Sequence, residues 1–272
     1  MPHMLIFGLG YTSSRLANML RSMGWQVSAT RRSACEEAMA FDDRDGVLRA
    51  IAGATHILSS VPPVGEADPV LTHYGEALSR APALWSGYLS STGVYGDSGG
   101  AWVDESAPIG GGRRSARAEA DRAWQALRGD IRVFRLPGIY GPGRSVLDRI
   151  REGKARRIAL PGQIFSRVHV DDIISGVLAG LRGPPGVYNL ADDLPASQNH
   201  IIEHGCALLH TAPPPLMSLE DADLSPQARA FYVENRRVAN GKAKRMLGWT
   251  PAYPTYKEGL RALAHPSHSA TP

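Results

Sequence analysis

Short apolar runs alternate with helix-period stretches through the first half of the chain, the pattern of a parallel sheet wound with helices. His3–Phe7 reads as a first strand, and the segment after it carries Leu16, Met19 and Leu20 on one helical face. Residues 26–30 predict a second strand, 39–41 a short third, and 56–60 a fourth. The fourth stops at Val61-Pro62-Pro63, because proline cannot continue a central strand. A helix over 69–80 leads into a fifth strand at 88–91. A helix over 113–127 leads into a sixth at 132–136, halted by Pro137-Gly138.

The pattern changes after Gly141-Pro142-Gly143. Val146–Arg151 predicts a short helix, followed by a stretch punctuated by glycine and proline as far as Pro161-Gly162. Residues 171–181 predict a helix with Asp171 at its start, where a carboxylate caps free N–H groups. Residues 187–189 read as one more strand returning to the sheet. From about Gln198 onward the chain reads as helix and loop, with prolines 213–215 marking a linker. No internal repeat occurs. The fold class is α/β: a Rossmann-type doubly wound parallel sheet with a small C-terminal substrate-binding lobe. Residues 1–143 form the nucleotide-binding core, completed by about 165–192. Residues 144–164 and 193–265 form the lobe, and 266–272 a frayed tail.

The 272 residues suffice for a large core, and the apolar and charged fractions are those of a globular protein. No window approaches ~18 uninterrupted apolar residues, so no membrane span is expected. The first strand begins without a basic region or a small-residue cleavage site, so no signal peptide is expected either. The two cysteines, Cys35 and Cys206, fit a reducing cytoplasm better than a disulfide framework. The net charge is +4, and the basic pairs Arg31-Arg32, Arg113-Arg114, Arg156-Arg157 and Arg236-Arg237 are scattered along the chain. No nucleic-acid motif accompanies them, so solvated faces and sites for anionic small molecules account for them. No metal site is expected.

Gly8-Leu9-Gly10 lies between a strand and a helix at the start of the fold. Glycines there permit a tight turn and let a pyrophosphate approach backbone N–H groups at the positive end of the helix. Ser13 holds the position of the usual third glycine and should loosen helix–strand packing slightly. Gly8, Gly10, Tyr11, Thr12 and Ser13 are therefore assigned to a dinucleotide, together with Ser60 and Pro62 after the fourth strand. The second strand ends in Ala29-Thr30-Arg31-Arg32, where a site selective for NAD would place an acidic residue. Arg31 and Arg32 offer guanidinium forks to a 2′-phosphate instead, so NADP is the expected cofactor and NAD the lesser one.

Several later segments carry a family resemblance. Leu89-Ser90-Ser91-Thr92-Gly93-Val94-Tyr95-Gly96, Arg135-Leu136-Pro137-Gly138-Ile139-Tyr140-Gly141-Pro142-Gly143-Arg144 and Phe165-Ser166-Arg167-Val168-His169-Val170-Asp171-Asp172-Ile173 resemble landmarks of the extended short-chain dehydrogenases/reductases, the nucleotide-sugar epimerase and dehydratase group. Val187-Tyr188-Asn189-Leu190 and residues 243–251 resemble later ones. These matches follow family order from Gly8 to about Leu260. The resemblance implies that Ser91 hydrogen-bonds a substrate carbonyl or hydroxyl, that backbone at Pro137 and Ile139 meets the nicotinamide end, and that Arg167 meets an anionic group of the substrate. Thr92 and Tyr95 are assigned to the substrate beside them. His169 is expected to be structural, and Asp171 and Asp172 helix caps.

One departure stands out. The family places Tyr-x-x-x-Lys on the helix after the fifth strand, where the lysine lowers the tyrosine pKa. No tyrosine or lysine occurs from Glu105 to Leu127. Setting Asp121 on the family's acidic position puts Arg113 and Arg117 on the Tyr and Lys positions. A register set on Glu119 puts Gly111 and Ser115 there. The first is preferred, because Trp124 then also falls in place. Arginine stays protonated, so Arg113 cannot copy the proton transfer, but Arg113 and Arg117 can hold an anion or polarise a carbonyl. The pattern resembles atypical members of the group. An oxidoreductase or epimerase-like enzyme, a non-catalytic NADP(H)-binding sensor or interaction protein, and an ordinary nucleotide-sugar epimerase/dehydratase all stay open. The resemblance also allows a homodimer through the helices over 69–80 and 113–127.

Overall fold

A computed structural model of the chain describes residues 1–110, 115–224, 226, 229 and 231–265. Seven parallel strands form the central sheet: β1 (His3–Phe7), β2 (Gln26–Arg31), β3 (Met39–Ala40), β4 (His56–Ser59), β5 (Trp85–Ser91), β7 (Ile131–Leu136) and β11 (Gly186–Asn189). Their order across the sheet is β11-β7-β5-β4-β1-β2-β3. The order therefore reverses between β1 and β4, and a crevice opens there at the strands' carboxyl ends. β1 sits inside the sheet, with Phe7 in register with Thr30 of β2 and Ser59 of β4.

Helices cover both faces, which is why β1 reads as a continuous apolar run from Met4 to Phe7. Met4, Leu5, Ile6 and Phe7 are all fully buried, each contributing roughly 1.5–3 kcal/mol of burial free energy. On one face, α1 (Tyr11–Ser22) and α6 (Val170–Gly180) pack over Met4, Ile6, Trp85 and Phe134. On the other, α2 (Arg44–Gly53), α3 (Pro69–Ser79) and α4 (Ser115–Leu127) pack over Leu5, Phe7, Tyr88 and Val133. A separate apolar cluster in the lobe joins α5 (Val146–Arg151), α7 (Gln198–Leu208) and a C-terminal helix (Tyr256–Ala264) through Leu147, Ile202, Cys206 and Leu260.

Two-residue strands tie the lobe to the core and to itself. β6 (Trp102–Val103) pairs with β13 (Arg237–Val238), and β9 (Arg157–Ile158) with β12 (Leu216–Met217). The slightly longer β8 (Gly138–Tyr140) and β10 (Arg167–His169) run side by side where the core meets the lobe.

Several local expectations change. Met19 is 45% exposed, and Ser13, Leu16, Ala17 and Leu20 form the buried face of α1 instead. Helix α2 was not expected at all. It starts where the Asp43 carboxylate accepts the Gly46 N–H, and it buries only Val47 and Ile51. β5 begins at Trp85, whose indole N–H donates to Gly180 O at 2.9 Å. Helix α6 is capped by His169, not by Asp171: the ring Nδ1 accepts from the Asp171 N–H at 3.2 Å. The Asp172 carboxylate takes the N–H groups of Ala252 and Tyr253, tying the C-terminal segment to the core. Arg113 lies outside the described residues. Among the described residues, no helix is long and apolar enough to cross a membrane.

Candidate cofactor and active site

The turn from β1 into α1 is built around Gly8. Its φ is +85°, and a Cβ there would meet Val61 Cγ2 at 2.8 Å. Both reasons require glycine. The Gly8 and Leu9 amides donate to Thr30 O at 3.2 and 2.9 Å, which pins the turn against β2. Ser13 does not loosen this packing. Its hydroxyl donates to Gly8 O at 2.5 Å and accepts from the Gly10 N–H at 2.9 Å, while Ser60 Oγ donates to the same carbonyl at 2.6 Å. A hydroxyl thus supplies contacts that a third glycine would have left to direct packing.

The first intrahelical bond of α1 runs from the Ser14 N–H to Gly10 O. The amides of Tyr11, Thr12 and Ser13 precede it and have no partner within the helix. All three residues line a cavity of about 850 Å³, together with Gly10, Ser60 and Pro62. A Cβ at Gly10 would meet nothing within 4 Å, so its missing side chain leaves room on the cavity side of the turn. A helix start with free amides, an open cradle and no carboxylate in its first turn fits a diphosphate. Arg31 and Arg32 do not line this cavity. Arg31 lies beside the turn, its Nε donating to Leu9 O at 3.1 Å, and both side chains are exposed. Tyr11 reaches across the crevice, donating to Pro142 O at 3.0 Å.

The cavity continues to the end of β5. Ser91 lines it, and its Oγ accepts the Gly93 N–H at 3.1 Å, which starts a short helical turn over Thr92–Tyr95. Thr92, Arg117, Pro137, Ile139 and Arg167 line it as well. Tyr95, assigned to the substrate from sequence, lies elsewhere: it is 6% exposed and behind the wall. Its hydroxyl donates to Asn189 Oδ1 at 2.7 Å and accepts from Arg135 Nη1 at 3.0 Å, and burial pushes its pKa up to about 12. Arg135 also grips Asp121 on α4, and Ser90 Oγ donates to the same carboxylate at 2.6 Å. This buried network locks α4, and Arg117 one turn before Asp121, against the strand that carries Ser91.

Arg167 is more committed than the sequence implied. Its Nη1 donates to Phe165 O and Ala196 O, and its Nη2 to Gln198 Oε1. Burial lowers its pKa to about 10, opposed by the Asp192 charge. Burial raises Asp192 to about 7. The side chain braces the junction of core and lobe as well as lining the cavity.

Sequence reading missed the far wall. Arg144, Arg149, Arg156, Phe165, Tyr232 and Arg236 line the cavity from the lobe side. The signal was present in the basic pairs, which looked scattered: Arg156 faces the cavity while Arg157 pairs with Glu203 at 2.6 Å. Among the described lining residues there are six arginines and a single carboxylate, Glu234. That imbalance gives the cavity an excess of positive charge.

No family model matches the chain. It is 38% identical to a functionally unknown conserved protein from Silicibacter pomeroyi of known structure, which superposes with a TM-score of 0.89 and is matched over 100% of its length and 99% of this chain. The human epimerase family protein SDR39U1, solved with NADPH, is 18% identical over 97% of this chain and 99% of that one, with a TM-score of 0.79. A 3-diazoavenalumate denitrifying reductase of a Streptomyces species is 26% identical, covering 92% of this chain and 96% of the reductase.

Proposed function

We propose that the chain is a member of the extended short-chain dehydrogenases/reductases, the NAD-dependent epimerase/dehydratase group whose fold it shares, and that it is an NADP(H)-dependent oxidoreductase acting on a small anionic carbonyl or hydroxyl compound. The observation that carries this reading is one continuous cavity with the free amides of Tyr11–Ser13 at one end and Ser91 and Arg117 at the other. The nicotinamide supplies or takes up hydride when it is bound.

The chain's own residues do the rest. The α1 amides would hold the diphosphate, and Arg31 with Arg32, beside the turn, would meet the 2′-phosphate. Pro137 and Ile139 shape the nicotinamide end. Ser91 Oγ hydrogen-bonds the substrate oxygen, and Arg117 offsets the negative charge that develops there. In the reducing direction, where the bound nicotinamide would supply hydride to the carbon, Ser91 Oγ would relay a proton from solvent to the oxygen. Arg117 holds charge without moving a proton, because a guanidinium keeps its proton near neutral pH.

The missing Tyr-Lys pair supports a second reading, a nucleotide-binding protein without turnover. Calorimetric titration of the purified protein with NADPH and NADH tests what the two readings share. Saturable NADPH binding is expected, and no heat from either nucleotide at low salt would overturn both. Consumption of NADPH with a carbonyl substrate then separates enzyme from sensor.

A further inference from the structure

The lobe half of the cavity has an unusual inventory. Arg149 gives Nη2 to Lys154 O, and Arg156 gives Nη1 to Gly153 O and Ala155 O, so each spends a single nitrogen on backbone. Among the described residues neither forms an ion pair with a carboxylate, unlike the neighbouring Arg151 and Arg157. Lining the same part of the cavity, the rings of Phe165 and Tyr232 meet edge to face with centroids 5.6 Å apart. Burial raises the Tyr232 phenol, and the guanidiniums of Arg149 and Arg167 pull it back, so this ring lies within electrostatic reach of both charges. Phe231 stands at the rim, 53% exposed. Buried Ile202 completes an apolar floor.

What this half lacks is equally informative. A polyhydroxylated ligand needs an acceptor and a donor for each hydroxyl, and buried polar groups are costly when left unmatched. No aspartate or asparagine occurs among the described lining residues. Gln198 Oε1 is taken by Arg167, and Ser166 Oγ by the Val238 N–H. Glu234 Oε2 is taken by Arg236, and its buried Oε1, without a hydrogen-bond partner among the described residues, is the one carboxylate acceptor left. Beside it and the Tyr232 hydroxyl, guanidinium groups and flat apolar surface make up this half.

We infer that this subsite takes a planar aromatic carboxylate, with its ring against Phe165 and Tyr232 and its anionic end toward Arg149 and Arg156, in preference to a sugar or sugar nucleotide. Guanidinium forks match a carboxylate in plane, and aromatic rings prefer tilted or offset neighbours over hydrated hydroxyls. The inference rests on the reading of this cavity as a nicotinamide-dependent site.

The test is calorimetry on the full chain, first with NADP, then with trans-cinnamate, glucuronate and UDP-glucose in separate titrations of the NADP-mixed protein. Cinnamate is expected to bind at least about tenfold more tightly than either sugar compound. Arg149→Gln and Arg156→Gln, each at a solvent-accessible position that leaves the fold intact, are each expected to weaken it about tenfold, the worth of one charge-assisted contact. Tighter binding of glucuronate or UDP-glucose overturns the inference, as do unchanged cinnamate affinity in both variants and no heat with millimolar cinnamate. If NADP binds and cinnamate does not, only this inference falls. If cinnamate binds as described and NADP does not, the subsite stands and the nicotinamide reading falls.

Discussion

Arg135 and Asp121 meet inside the protein as a two-pronged ion pair, Nε 3.0 Å from Oδ2 and Nη2 2.7 Å from Oδ1, with side-chain exposures of 3% and 0%. Residue 121 lies on helix α4 and residue 135 on strand β7, so the pair sets how α4 sits behind Ser91. Burial opposes the charges, and the carboxylate more than compensates, holding Arg135 well above its ordinary pKa.

Asp121→Asn is expected to cost about 3–5 kcal/mol, because it leaves a buried guanidinium without its counter-charge. Urea denaturation of the two proteins measures this directly. A loss under about 1 kcal/mol, the range of an exposed pair, would show that the network contributes little.

Ser13→Ala removes the acceptor of the Gly10 N–H and one donor to Gly8 O. The expected stability loss is about 1–2 kcal/mol, with weaker nucleotide binding as the turn relaxes. Thermal melts with and without NADPH check both parts. Full stability together with full affinity would mean that Ser13 merely fills space.

Arg31→Ala should weaken NADPH binding by about tenfold or more, the worth of a guanidinium–phosphate contact, and leave NADH binding unchanged. Parallel titrations with the two nucleotides decide it. An equal loss for both would assign Arg31 to the turn, where its Nε already holds Leu9 O.

Ser91→Ala should lower kcat about a hundredfold on any substrate that supports NADPH oxidation, whereas Tyr95→Phe should chiefly cost stability. Tyr95 lies behind the wall in the Arg135–Asn189 network, and Ser91 in front of it. A reversed pattern in steady-state kinetics would move the reacting centre to Tyr95.

Burial raises Asp192 to about 7 and Asp172 to about 6, against an ordinary value of 3.8 for each. The folded protein therefore binds more protons than the unfolded chain between about pH 4 and pH 7, and these two groups make stability fall as pH rises through that window. Asp192→Asn keeps the shape and removes the titration. Its melting temperature should exceed the parent's by more at pH 8 than at pH 5, with the difference vanishing only below about pH 4. A difference that stays flat with pH would refute the buried-charge account.

The alternation of apolar runs and helical stretches was sufficient to identify the parallel sheet, because its central strands are buried on both faces and leave a continuous apolar record at Met4–Phe7, and one interrupted by Ser86, Ser90, Arg132 and Arg135 along β5 and β7. The turn chemistry was equally legible: Gly8 needs a positive φ, and that demand is local. Helix α2 escaped notice because Val47 and Ile51 are its only buried side chains, too few to show a period. Two-residue strands such as β6 and β13 carry no period at all.

The chain alone determined the core, the glycine turn and the absence of a Tyr-Lys pair from Glu105 to Leu127, since each is written in consecutive residues. Folding alone decided that Ser13 ties the turn, that Tyr95 faces Arg135 and Asn189, and that Arg149, Arg156, Phe165 and Tyr232 share one wall. Those relations join positions that are distant along the chain, or depend on which way one side chain points. Only the packing of the lobe onto the strand ends brings such groups within reach of one another.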